Sequence, residues 1–302
     1  MTIAARPYRI FNASLARKTM ISPHLCRLTF TDPSIATMRT LAPDQRIKIF
    51  FPSDDGVPSA LPDTADWYDV YRSVPAKQRP PMRTYTIRHL RADAHEVDVD
   101  FVLHGETGPA SRWAIRSQIG DKVQITAPNG LYEGEIGGYE WKPPAQADDI
   151  LVIADETAIP AAVGILEQLA ARENPPKVQA FLEVPSVDDA LPLPVWDGLK
   201  VEWLAREDDT GCKDNGLLMA EAARRARLPA SAKAETTERL SDVNVDEDVL
   251  WDVADEKAGS FYAWVAGETA AVANIRNFLI KEKGIDRHAL NLMGYWRCGK
   301  VY

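Results

Sequence analysis

The chain changes its hydrophobic pattern at YEWKPPAQADD, residues 139 to 149. Before this point short segments alternate apolar and polar residues; beyond it, unbroken apolar runs are followed by segments with helical spacing. Alternation buries one face of a strand, whereas an unbroken apolar run buries both. A chain with both patterns is expected to form two domains, and the double proline with its polar neighbours reads as the linker between them. The 302 residues suffice for a core in each, and the expected division is 1–145 and 146–302.

In the first half, CRLTF (26–30), RIKIFF (46–51), RTYTIRHL (83–90), EVDVDFVLH (96–104) and KVQITAP (122–128) are rich in β-branched and aromatic residues. Their spacing suggests a small antiparallel barrel. Residues 52–82, heavy in proline and acid, cannot be a central strand. They are expected to form a lid or binding excursion with one helical turn around DWYDVYRSV. In the second half, DILVIAD (149–155), KVQAFLEV (177–184), LKVEWLAR (199–206), SFYAWVAG (260–267) and LNLMGYW (290–296) read as buried strands. Helical patterns lie at ETAIPAAVGILEQLAAR, GLLMAEAARRAR and ETAAVANIRNFLIKEKG. This alternation implies a parallel sheet flanked by helices, which binds ligands at the carboxyl ends of its strands. An acidic stretch at about 230–258 is expected to be a solvated insertion docked through Leu250 and Trp251.

Charge and composition exclude several classes. A formal charge of −9 opposes general attraction to nucleic acid or to an anionic membrane surface. The N-terminal residues lack the apolar core and cleavage site of a signal peptide, and no apolar run is long enough to span a bilayer, so a cytoplasmic location is expected. Cys26, Cys212 and Cys298 lie far apart without a CxxC spacing, and the five histidines show no metal-binding spacing. No disulfide framework, iron–sulfur cluster or metal centre is expected from them.

Two stretches carry chemistry. In RTYTIR (83–88), alternation puts Arg83, Tyr85 and Ile87 on one face and Thr84, Thr86 and Arg88 on the other. One face thus joins a cation to an aromatic plate. In FVLHGETGPASRWA (101–114) a strand ends at His104, glycines and Pro109 shape a turn, and Ala110 and Ser111 open a helix. Free amides at such a helix start suit a pyrophosphate. A plain helix capped by Ser111 is the equal alternative.

Together with IADETAIPA (153–161), AWVAGE (263–268) and GYWRCGK (294–300), these stretches resemble the siderophore-interacting proteins, FAD-dependent ferric-siderophore reductases of the ferredoxin reductase superfamily. The resemblance implies an N-terminal antiparallel flavin-binding β-barrel and a C-terminal α/β nicotinamide-nucleotide domain with a parallel sheet. It implies that Arg83 holds the FAD phosphates, that Tyr85 lies against the isoalloxazine, and that Thr86 bonds its N5 and O4 edge. Thr84, Asp100, Val102, His104, Pro109, Ala110 and Ser111 complete the FAD contacts, and Thr157 meets the flavin from the second domain. Arg206 is placed for the 2′-phosphate of NADPH, with a solvated strand-end arginine as the competing reading. Lys48, Arg297 and Lys300 are implied to hold an anionic ferric siderophore.

The FAD itself is then the redox centre, with no side chain acting as acid or base. The donor is NADPH or NADH, with a ferredoxin as a further alternative. Two other readings compete: a flavin reductase serving a protein, quinone or free flavin, and a non-catalytic flavin or siderophore carrier. The second domain departs from the dinucleotide fingerprint, since GxGxxG is absent and DETAIP stands where a glycine-rich turn is usual.

Overall fold

The computed structural model describes residues 6–53, 55–208, 211–234, 250–255 and 259–300. The chain divides into two units, one ending at Tyr139 and the other running Glu140–Lys300.

The first unit is built on a seven-stranded antiparallel sheet, β1 (Tyr8–Ser22), β2 (Leu25–Thr31), β3 (Arg46–Phe50), β4 (Met82–Thr86), β5 (His89–Arg91), β6 (Glu96–Val102) and β7 (Lys122–Pro128), in the order β4-β3-β7-β1-β2-β6-β5. RTYTIRHL is therefore two strands. The chain leaves β3's side at Ile87, whose amide bonds to Gln45, and joins β6's side at Arg88, whose amide bonds to Asp98. Two residues thus connect the two outermost strands, and a sheet whose edges are so tethered has to curl towards closure. β1 escaped the sequence reading because it serves two partners, bends at irregular registers between Leu15 and Arg17 and between Met20 and Ser22, and carries Arg17, Lys18 and Asn12.

Inside the curl, Phe11, Leu28, Phe30, Ile49, Phe51, Val99, Phe101 and Ile125 form the core, closed by helix α2 (Pro109–Arg116) through Ala110 and Ala114. The excursion is anchored on the other face of the sheet. There Ile10, Phe50 and Leu61 form a second small core with Trp67, Val70 and Tyr71 of helix α1 (Trp67–Ser73). Gln124 fastens it, accepting from Leu61 N and the Ser59 hydroxyl and donating to Leu61 O.

The second unit holds a six-stranded sheet of β8 (Asp149–Ala154), β9 (Lys177–Val184), β10 (Leu199–Ala205), β13 (Trp251–Asp252), β14 (Phe261–Glu268) and β15 (Leu290–Trp296) in the order β10-β9-β8-β14-β15-β13. A small hairpin of β11 (Glu207–Asp208) and β12 (Gly211–Cys212) stands apart from it. Its helices are α3 (Ile159–Ala170), α4 (Leu217–Arg225) and α5 (Thr269–Arg276). The strand pairs are parallel except that edge strand β13 runs antiparallel to β15, so the sheet is mixed. β13 and the buried Leu250 come from the acidic stretch, which therefore does dock there; residues 235–249 and 256–258 of it lie outside the described residues. The chain winds outward from β8 to β10 and then resumes beside β8 with β14, so the switch point of the topology falls between β8 and β14. Among the described residues no helix is long and apolar enough to cross a membrane.

Candidate functional site

In the first unit, β4 is an edge strand, and its pairing with β3 sets Arg83 opposite Ile49 and Tyr85 opposite Ile47. Both side chains therefore share the face of the barrel core. The Tyr85 ring lies 4.1 Å from Phe101 and 6.4 Å from Phe51, and burial pushes its phenol pKa well up despite the opposing pull of Arg83. The Arg83 guanidinium is half-buried and donates to Met82 O at 2.8 Å. Among the described residues it has no carboxylate partner, and burial draws its pKa down, with Tyr85 and Tyr71 acting against that. A half-buried guanidinium without an acid is a ready partner for an anion. Thr86 is buried at the end of the same strand, and exposed Thr84 turns to the other face.

Phe51 joins Tyr85 to Trp113 of α2, 5.4 Å away, so strand β4 and helix α2 meet on one aromatic cluster. No side chain caps α2: Gly108 occupies the cap position and Pro109 follows it. The amides of Ala110 and Ser111 are left without an intrahelical acceptor. Ser111 is not the cap, which resolves the alternative raised by its sequence. Its hydroxyl accepts from His104 N–H at 3.2 Å and donates to Gly105 C=O at 2.6 Å, tying the turn to the helix. Gly105 holds φ at +77°, where a side chain would strain the turn. His104 is exposed, with Nδ1 3.2 Å from the Thr107 hydroxyl, and Val102 is half-buried at the strand end. Asp100 has its carboxylate spent within the protein, gripped by Arg27 at 2.7 and 2.9 Å with Arg88 at 3.9 Å. Only its backbone remains for a ligand.

Lys48 stands opposite Thr84, on the sheet face away from Tyr85. Its ammonium is 3.3 Å from the Thr84 hydroxyl, and burial, with nearby Arg46 adding, lowers its pKa.

In the second unit the carboxyl ends of the parallel strands carry a cluster of acids. Asp155, fully buried after β8, accepts four hydrogen bonds: from Thr157 N at 2.9 Å, Thr157 Oγ1 at 2.6 Å, Glu268 N at 2.8 Å and Trp296 Nε1 at 2.7 Å. Burial and neighbouring Glu156 push its pKa up to about 7 against the bonds from Thr157 and Trp296. A Cβ on Gly267 would come within 2.7 Å of Asp155 Oδ2, so glycine is required there. The Thr157 hydroxyl proton goes to Asp155, which leaves that oxygen only as an acceptor.

The expected role of Arg206 is corrected by its surroundings. It is 7% exposed and grips Glu156 at 2.6 and 2.7 Å and Glu183 at 3.2 Å. It is neither a solvated strand-end residue nor a free cation for a 2′-phosphate. Glu183 in turn accepts from Gly216 N and Met219 N at the start of α4, and burial raises its pKa. Glu268 accepts from Ala271 N in α5 and from Cys298 N. Arg297 is half-buried and Lys300 exposed in the turn after β15. Glu183, Glu268 and Trp296 were not singled out by sequence; the acid at the end of each buried strand was the available signal.

A curled antiparallel sheet bearing an arginine without an acid partner among the described residues and an uncapped helix, in one chain with an α/β unit, is the architecture shared with FAD-binding proteins of the ferredoxin-reductase fold. Residues 14–132 match the siderophore-interacting FAD-binding domain model and residues 147–299 the siderophore-interacting protein model. The chain belongs to the siderophore-interacting protein family. It is 32% identical to an uncharacterized protein of Mycobacterium tuberculosis over 99% of this chain and 93% of that one. It is 26% identical to the ferric vibriobactin reductase ViuB of Vibrio cholerae, covering 94% of this chain and 88% of the relative. The crystal structure of the siderophore-interacting protein SipS from Aeromonas hydrophila superposes with a TM-score of 0.69 at 26% identity, over 98% of this chain and 94% of that one. A ferredoxin reductase of carbazole 1,9a-dioxygenase shares the fold, with a TM-score of 0.60 at 15% identity over 97% of this chain and 71% of that one.

Proposed function

We propose that this protein reduces ferric siderophores, passing electrons from NADPH or NADH through FAD to the chelated iron. The observation that carries this reading is Arg83, a half-buried guanidinium without an acid partner among the described residues, on the strand face it shares with Tyr85 in the unit that matches an FAD-binding domain. The residues fit FAD. Arg83 and the amides of Ala110 and Ser111 supply charge and donors for a pyrophosphate, and Tyr85 supplies an apolar plate for a flat ring. Thr86 and the backbone of β6 near Val102 offer polar contacts to the rest of the cofactor, with His104 and Pro109 at the turn.

FAD supplies the conversion of a two-electron donor into one-electron deliveries. The balance is one NAD(P)H and two ferric ions giving NAD(P)⁺, two ferrous ions and a proton. Ferrous iron is held less tightly by hard oxygen ligands, so reduction releases it. The chain's own residues bind and orient: Arg83 and α2 anchor the phosphates, and Tyr85 sets the ring. Lys48, Arg297 and Lys300 are the cations we assign to an anionic siderophore. The relatives named as a ferric vibriobactin reductase and a siderophore-interacting protein support the substrate class. A cytoplasmic location agrees with such a role, and a ferredoxin remains the competing donor.

Anaerobic mixing of the purified protein with NADPH or NADH, followed by a ferric siderophore, tests the whole sequence. The reading requires bleaching of the yellow chromophore and its return as ferrous iron appears. A chromophore that no nicotinamide bleaches, or a bleached one that ferric siderophores do not reoxidise, rejects it.

A further inference from the structure

In an open parallel sheet, a dinucleotide is held at the switch point, with its pyrophosphate against a helix N-terminus. In this chain that position lies between β8 and β14, and Asp155 fills it. One carboxylate oxygen takes the Thr157 amide and hydroxyl, and the other takes the Glu268 amide and the Trp296 indole. The carbonyl of Asp155 takes the amides of Ala158 and Ile159, so the turn into α3 turns its donors inward on one residue.

The other two helices are filled in the same way. Glu183 bonds the amides of Gly216 and Met219 at the start of α4. Glu268 bonds the amide of Ala271 at the start of α5. A carboxylate at a helix N-terminus cancels the positive end of the dipole that would attract phosphate. Arg206, the guanidinium that this cluster grips, is itself matched by two acids, Glu156 and Glu183.

A pyrophosphate would find these donors already taken and would have to displace bonds that hold buried acids. We propose that Asp155, Glu183 and Glu268 make this unit blind to the adenylate half of a nicotinamide nucleotide, so that the donor is recognised through its reduced nicotinamide ribotide alone. The protein then has no means of separating NADPH from NADH. This rests on the reading of a nicotinamide as donor, and it assigns to three acids the specificity that a glycine-rich turn and a 2′-phosphate-binding arginine would otherwise set.

The test has a binding arm and a kinetic arm, both on the FAD-loaded full chain. ADP-ribose and 2′-phospho-ADP-ribose are titrated calorimetrically; neither is expected to bind with a Kd below about 1 mM, the weak end of the affinity scale. Anaerobic flavin bleaching is then followed with NADH, NADPH and reduced nicotinamide mononucleotide, whose half-saturating concentrations are expected to agree within about threefold, under 1 kcal/mol. Submillimolar binding of either adenylate fragment overturns the proposal. So does a tenfold or greater penalty for the mononucleotide. If no nicotinamide bleaches the flavin and the fragments do not bind, the acids act as proposed and the nicotinamide donor of the preceding section is what fails.

Discussion

Lys48 stands directly across the β3–β4 pair from Thr84, its ammonium 3.3 Å from the threonine hydroxyl, and so occupies the sheet face opposite Tyr85 and Arg83. The cation assigned to substrate and the cation assigned to flavin phosphate are thus separated by the sheet itself. Their roles are separable by mutation.

Lys48→Ala is expected to leave FAD content unchanged and to lower the efficiency of reducing an anionic ferric siderophore by about three- to tenfold at low salt, with the loss shrinking as ionic strength rises. Steady-state kinetics across a salt series checks this. A salt-independent effect, or loss of flavin on purification, sinks it.

Arg83→Ala is expected to weaken FAD binding by about ten- to a hundredfold, because a charge-assisted hydrogen bond is worth about 1.5–3 kcal/mol. Thr86→Ala removes one neutral hydrogen bond and should cost less. Fluorimetric titration of flavin-free protein measures both. Equal losses would contradict the phosphate role of Arg83.

Arg206→Ala is expected to cost about 3–5 kcal/mol of stability by leaving buried acids unpaired. The partners concerned are Glu183, wholly buried, and Glu156. Protein that remains folded should show no change in preference between NADPH and NADH. Thermal melts followed by single-turnover reduction separate the two effects. A selective loss with NADPH would restore a phosphate role to this arginine.

The first unit should lose stability in acid. The Arg17 hydrogen bond holds Glu96 down to about 2, with Arg91 adding to it. Asp98 is held lower still, where Arg91, His89 and Thr29 outweigh the cost of its burial. Groups depressed in the folded state stabilise above their unfolded pKa, about 4, and lose that contribution as pH falls through the folded values. The melting temperature should therefore decline between about pH 4 and pH 2. Replacing Arg91 with Met should flatten that decline, and an unchanged slope would refute the assignment.

Local pattern by itself determined much of this molecule. KVQAFLEV and LNLMGYW are strands over the residues their apolar runs mark, and RTYTIR and GPASRWA fall in a strand and at a helix start. Side-chain period reports which face of a strand is buried, and that information is local. It does not report which strand pairs with which. So RTYTIRHL, one run in sequence, became two strands on opposite edges of a sheet, and Lys48 fell on the face away from Tyr85. The acid cluster was decided by tertiary structure alone. Trp296 meets Asp155 across 141 residues, and Glu183 meets α4 across 33 and 36, because parallel strands deliver their carboxyl ends to one edge whatever lies between them. Arg206 changed meaning for the same reason: at the end of a strand it is a cation on offer, and at the end of that strand beside Glu156 and Glu183 it is already bound.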